Sequence, residues 1–135
     1  MKKLKIYTDG WARWNPWNAW IWVYITLENW KEIEKRYKNI GVKTNNDAEY
    51  TAVYLALSRA VELWCKEIDL FSDSNLVVNQ LNWNWKIKED RLKIYKTDID
   101  KIIRENKLKI CFTWIRREEN KEADRLSNVA MDEWK

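Results

Sequence analysis

Polar and apolar positions alternate through the first forty residues. In "KLKIYTD", residues 3–9, Leu4, Ile6 and Thr8 share one side, and in "AWIWVYITL", residues 19–27, Ala19, Ile21, Val23, Ile25 and Leu27 form one alternating face. Both segments predict strands. "KEIEKRYKNIG" is charged and thin in apolar residues, which suits a third strand at a solvated edge. From Asn46 to Leu63 the period changes: Ala48, Ala52, Leu55, Ala56, Val61 and Leu63 fall near helical spacing, with Thr44, Asn45 and Asn46 available as caps. "EIDLFSD" then reads as a buried strand and "SNLVVNQLN" as a short helix. "DRLKIYKTDIDKIIREN" is an amphipathic helix through Leu92, Tyr95, Ile99 and Ile102, "KLKICFTWI" a last strand, and "NKEADRLSNVAMDE" a closing helix. This order predicts an α/β fold in which a helical crossover makes the first and fourth strands parallel neighbours.

Composition changes the picture little. With 135 residues and no linker-like run, the expectation is a single domain over residues 1–135. "MKKLKIY" lacks the apolar stretch of a signal peptide and no long apolar run follows, so a cytoplasmic protein with no membrane partner is expected. Cys65 and Cys111 have no metal-ligand spacing and read as two reduced core thiols. A net charge of +4 permits an acidic partner without requiring one.

The parallel pairing draws attention to the acids. Asp9 ends "IYTDG" and Asp73 ends "LFSDS", so two strands of matching pattern bring a carboxylate to the same sheet edge, where α/β folds build ligand sites. Glu49, early in the crossover helix, and Asp124, near the start of the last helix, can reach the same place. Asp9 or Asp73 taken alone also reads as a turn former. Four together repel one another and call for compensating positive charge. With no His in the chain, an all-oxygen donor set favours Mg²⁺ or Mn²⁺ over zinc, and two such ions hydrolyse phosphodiesters.

"YTDG" at 7–10, "TNNDAEY" at 44–50, "FSDSNLVVNQLN" at 71–82 and "REENKEADRLSN" at 117–128 resemble, in order and spacing, the motifs of type 1 ribonuclease H. The resemblance spans nearly the whole chain. It implies a ribonuclease H-like fold, a five-stranded mixed sheet of order 3-2-1-4-5 with helices on both faces. The implied activity is endonucleolytic hydrolysis of the RNA strand of RNA/DNA hybrids, with two Mg²⁺ (or Mn²⁺) and 5′-phosphate and 3′-hydroxyl products. The family's catalytic, metal-binding acids correspond to Asp9, Glu49, Asp73 and Asp124. Asp9 would bridge both ions, Glu49 and Asp73 would favour the leaving-group ion, and Asp124 the one that activates water. Lys43, Thr44, Asn45, Asn46 and Asn75 match positions that touch substrate, although helix capping also accounts for the middle three. The partner implied is an RNA/DNA hybrid, with double-stranded RNA a second candidate duplex, and a monomer is expected. The alternative is an impaired relative that binds without cutting. Two departures stand out. The family's common His before the final acid is missing, leaving Arg116, Arg117 or Glu118 as auxiliary candidates in the loop "WIRREENKEAD", and no basic protrusion follows "NQLN".

The tryptophans are the third departure. The chain has 11 Trp and 2 Gly. Trp11, Trp14, Trp17, Trp20 and Trp22 stand where the family's opening motif has glycines. Trp30 follows Asn29 at what reads as a two-residue hairpin turn, and Trp64 and Trp83 follow helices at left-handed cap positions. Pro16-Trp17 falls where a Pro-Gly turn needs positive φ. Restoring these eight would bring glycine from 2 to 10 of 135 residues, close to the usual ~7%. A gene that writes glycine as UGA, translated with a code that reads UGA as tryptophan, produces this pattern. Trp85 and Trp114 fit as genuine aromatics, and Trp134 fits either way. The rival reading is a stacking platform for single-stranded bases.

Overall fold

The computed structural model describes residues 3–12, 17–29 and 31–133, and side chains within these except at 17 and 126–133. Strands β1 (Leu4–Ala12), β2 (Trp17–Leu27) and β3 (Glu32–Lys43) form an antiparallel meander. Helix α1 (Asn45–Glu62) crosses to β4 (Glu67–Ser72), then come α2 (Asn75–Leu81), α3 (Asp90–Glu105), β5 (Lys109–Trp114) and α4 (Arg117–Glu133). The sheet order is β3-β2-β1-β4-β5, with β1 parallel to β4 and β4 parallel to β5. This is the predicted architecture.

Alternation decides which face each strand buries. Leu4, Ile6 and Thr8 of β1 lie directly opposite Leu27, Ile25 and Val23 of β2, so the two predicted apolar rows face the same way. Onto them pack Tyr50, Val53, Leu57 and Ala60 of α1 and Leu92 and Ile99 of α3, in one continuous core. The opposite face carries Tyr7, Trp22 and Tyr24, covered by Ile115 and by Ala123 of α4. Helices therefore cover both faces. β3 is the solvated edge that its charges imply.

Helix ends bear on the tryptophans. At the end of α1, Trp64 N–H donates to Val61 C=O and Cys65 N–H to Ala60 C=O; α2 and α3 close with the same pair of bonds around Trp83 and Lys107. These are Schellman closures, which place the first residue past the cap in the left-handed region. Trp64, Trp83 and Lys107 have φ of 60°, 64° and 53°. Two of the eight supposed glycine positions thus sit in the backbone conformation that glycine favours. Trp11, Trp20 and Trp22 lie in the bodies of β1 and β2, where φ makes no such demand. Trp14, Trp30 and Trp134 fall outside the described residues.

Four local readings are corrected. Asp9 does not end its strand, because β1 continues to Ala12 along β2; it is the parallel pairing with β4 that stops, at Thr8–Ser72. The β2–β3 connection exceeds two residues, since Leu27 N–H donates to Lys31 C=O. The segment read as a charged loop before Asp124 is helical from Arg117, with Glu118 and Glu119 in the first turn, where the helix dipole favours acids. That segment lacks the apolar stripe by which a helix shows itself in sequence. Cys111 is exposed on β5, although Cys65 is buried, and no disulfide joins them. Among the described residues no helix is long and apolar enough to cross a membrane.

Candidate active site

The site forms where β1 leaves β4. Gly10 permits it: a Cβ there would stand 2.3 Å from the Ala48 carbonyl carbon and 2.5 Å from Glu49 N. The backbones of β1 and the start of α1 therefore touch, a contact open only to glycine. A capping box fixes that helix end, Thr44 Oγ accepting from Asp47 N–H and Asp47 accepting from Thr44 N–H. Arg91 of α3 grips the Asp47 carboxylate at 2.7 Å. Asn45 accepts the Ala12 N–H at 2.6 Å, satisfying β1 where β4 no longer does.

Asp73 follows β4 directly, and the Trp114 indole donates to its carbonyl. Across the opposite face, α4 is pinned by Asn120, whose amide donates to Thr8 C=O at 2.9 Å and also bonds the Asp73 side chain. Arg117, one turn earlier, stands 3.7 Å from the Asp73 carboxylate.

Carboxylate oxygens of Asp9, Glu49 and Asp73 lie within 4.8 Å of one another. Crowding and burial oppose their ionisation. Burial, then Asp73, pushes Asp9 up to about 6, against opposing hydrogen bonds from Glu49 and Gly10. Burial, then Asp9 and Asp73, holds Glu49 well above the usual carboxylate range. Burial also raises Asp73, although Arg117 and Asn120 oppose it. Three acids facing Arg117 as their adjacent cation are short of positive charge. A hard divalent cation with oxygen ligands supplies what is lacking, so the residues fit one.

Asp124 stands outside the trio, two turns into α4, and accepts a hydrogen bond from the Tyr37 hydroxyl on β3. Asp9, Asp73, Arg117, Asn120, Asp124 and Tyr37 surround an open hollow of 380 Å³, which Trp22 also lines. The Trp22 side chain is buried and its indole N–H meets no acceptor among the described residues.

The profile of the family described as reverse transcriptase-like matches residues 33–130. A ribonuclease H of Clostridium botulinum is 36% identical, the alignment covering 99% of each chain. The chain belongs to the ribonuclease H family. The crystal structure of RNase H1 from Halobacterium salinarum superposes on it with a TM-score of 0.85 at 29% identity, covering 97% of this chain and 98% of that one. LC11-RNase H1, solved in complex with an RNA/DNA hybrid, gives 0.84 at 37% identity over 91% and 92%. A bifunctional protein of Mycobacterium tuberculosis is 36% identical over 96% of this chain, which spans 36% of that protein's length.

Within this ribonuclease H framework the sequence-derived residues divide clearly. Asp9, Glu49 and Asp73 come together, and Asp124 lines the same hollow. Arg117 reaches the site, whereas Arg116 pairs with Glu119 on the surface and Glu118 lines a separate hollow with Tyr7 and Phe71. Thr44 caps α1, Asn45 ties β1, and Lys43, Asn46 and Asn75 lie near these ends, with Asn75 Oδ1 accepting from Asn79. Asn120, Tyr37 and Lys121 line or brace the site without having been singled out in the sequence, and Trp22, singled out as standing at a family glycine position, lines it too. Asn120 precedes Asp124 by four residues and so shares its helix face, a relation already contained in the closing helix predicted from Asn120. Tyr37 carries no local signal, because its role follows from strand pairing.

Proposed function

We propose that this chain hydrolyses the RNA strand of RNA/DNA hybrids, using Asp9, Glu49, Asp73 and Asp124 to hold two Mg²⁺ or Mn²⁺ ions and leaving 5′-phosphate and 3′-hydroxyl ends. One observation carries the reading: three carboxylates from separate elements meet at a sheet edge, with pKa values raised by burial and, for Asp9 and Glu49, also by the neighbouring carboxylates. A structural arrangement of acids would have recruited lysines or arginines to neutralise them; among the described residues the ion pair to this trio is that of Arg117 with Asp73. The bound ions would supply charge neutralisation and activation of water. The chain's own residues do the rest. Gly10 sets the separation of Asp9 and Glu49, Asn120 anchors α4 beneath Asp73, and Arg117 offers a positive charge toward a phosphate entering the open hollow. Thr44, Asn45, Asn46 and Asn75 lie at the starts of α1 and α2, so they can meet a duplex backbone and its 2′-hydroxyls as it crosses the site, with Lys43 beside them for a phosphate.

Trp22 favours a second reading for the chain as written, a hybrid binder with impaired cutting, because its buried indole occupies the wall beside Asp9. The test is cleavage of an end-labelled RNA strand in a hybrid with Mg²⁺ or Mn²⁺. It is run on this chain, on a version with glycine at the eight positions, and on Glu49→Gln in each. Metal-dependent cutting that Glu49→Gln abolishes supports the enzyme. Hybrid binding without cutting by the glycine version rejects it.

A further inference from the structure

Along its own strand the Tyr37 ring lies beneath Lys35, whose Nζ stands 5.4 Å from the ring centroid. β3 is the solvated edge, and Tyr37 is 47% exposed. Its hydroxyl nevertheless reaches across the hollow to the Asp124 carboxylate, a bond between residues 87 apart in the chain. Strand pairing makes that reach possible. Tyr37 lies opposite Trp22 on β2, and Trp22 opposite Asp9 on β1, so the three project toward the same face in one row. Asp124 hangs over this row from α4. Asn120 and Arg117 brace α4 from the β1–β4 side, and Tyr37 braces Asp124 from the β3 side.

We infer that Tyr37 is a positioning residue: its hydroxyl fixes the Asp124 carboxylate in the orientation from which a second oxygen can bind a divalent ion. This rests on the reading of Asp124 as a metal ligand. Carboxylate ligands are commonly held by such outer hydrogen bonds, and loss of one weakens metal binding by about 10–100-fold. Because the Tyr37 ring is half in solvent, the lower end applies. The bond is carried by side chains of β3 and α4, so a glycine at position 22 would leave it in place and give the ring more room to lie over β2.

The test uses Tyr37→Phe, which removes one oxygen at a surface position. Mn²⁺ binding to the whole chain, free of nucleic acid, is measured by calorimetry for the parent, Tyr37→Phe, Asp124→Ala and the double variant. Metal dependence of hybrid cleavage is measured beside it. The expected result is about tenfold weaker binding of the Mn²⁺ held with Asp124. The Mn²⁺ concentration needed for half-maximal cleavage should rise to match, kcat at saturating metal should stay within about twofold, and adding Tyr37→Phe to Asp124→Ala should do nothing further. Unchanged Mn²⁺ affinity in Tyr37→Phe, with Asp124→Ala impaired, overturns the inference alone. An equal loss in the Asp124→Ala background overturns it too, since Tyr37 would then act through something else. Asp124→Ala binding Mn²⁺ like the parent removes the underlying reading as well.

Discussion

Replacing Trp64 by glycine and by alanine separates backbone strain from side-chain loss. Trp64 has φ of 60° and is 83% exposed, so truncation sacrifices little packing. The left-handed conformation costs a residue with a Cβ about 1–2 kcal/mol, and glycine avoids this while losing roughly 0.5–1 kcal/mol in extra unfolded-state freedom. Trp64→Gly should therefore exceed Trp64→Ala by about 0.5–1 kcal/mol, a Tm gap of about 2–4 °C for a chain of this size. Lys107 provides the control, because it closes α3 with the same two bonds at φ 53° and no indole is involved. Lys107→Gly should stabilise relative to Lys107→Ala by a similar amount. Trp83 should behave differently. Lys96 Nζ lies 3.0 Å from its ring centroid, a cation–π contact of about 0.5–1 kcal/mol, so Trp83→Gly should be close to neutral against the parent. Thermal unfolding followed by circular dichroism, with a chemical-denaturation series for ΔG, reads all five variants. If Trp64→Ala melts at or above Trp64→Gly, the backbone at 64 does not want glycine and the argument from helix closure collapses.

Other predictions follow from the same geometry. Asp9 has a folded pKa near 6 against an unfolded value of 3.8, so the metal-free fold holds its proton more tightly than the unfolded chain does. Stability from this group is present below pH 4 and is lost as pH rises toward 6; Asp9→Asn should flatten that fall, and a parent melting curve no steeper than the variant's across this window would contradict it. Gly10→Ala drives a Cβ into the Ala48 carbonyl and should cost at least about 1–3 kcal/mol while weakening Mn²⁺ binding; a variant of parental stability refutes the close approach. The codons at the eight positions should be UGA, and UGG at Trp85 and Trp114; UGG throughout ends the decoding explanation. Asn120→Ala leaves the buried Thr8 carbonyl without its donor, and a loss of about 1–3 kcal/mol in urea unfolding is expected.

The parallel pairing of β1 with β4 was legible because β1, β2 and β4 show clean alternation or a continuous apolar run and a helix separates β3 from β4, whereas the full sheet order was implied by the family resemblance. Asp9, Glu49 and Asp73 were legible as motif acids, although Asp9 lies within β1 and Glu49 within α1. The first turns of α4 were not, since helix dipole and tertiary anchoring by Asn120 hold them rather than an apolar stripe. Tyr37 was invisible for a different reason. Its partner lies 87 residues away, and only the β2–β3 register, shifted by irregularities near Asn18 and Ile25, determines which edge residue faces the hollow. Trp64 and Trp83 show the reverse case, in which sequence identified a backbone demand that the residue type itself contradicts.

The contact at Gly10 carries one more consequence. Asp9 and Glu49 are spaced by main chain resting on main chain, with no intervening side chain to compress or rotate. Thinning the aliphatic interior, for example at Leu57 or Ile99, would lower the melting point yet leave the acidic centre in tune until global unfolding. Heat inactivation should accordingly be abrupt, with metal affinity surviving to the edge of the transition.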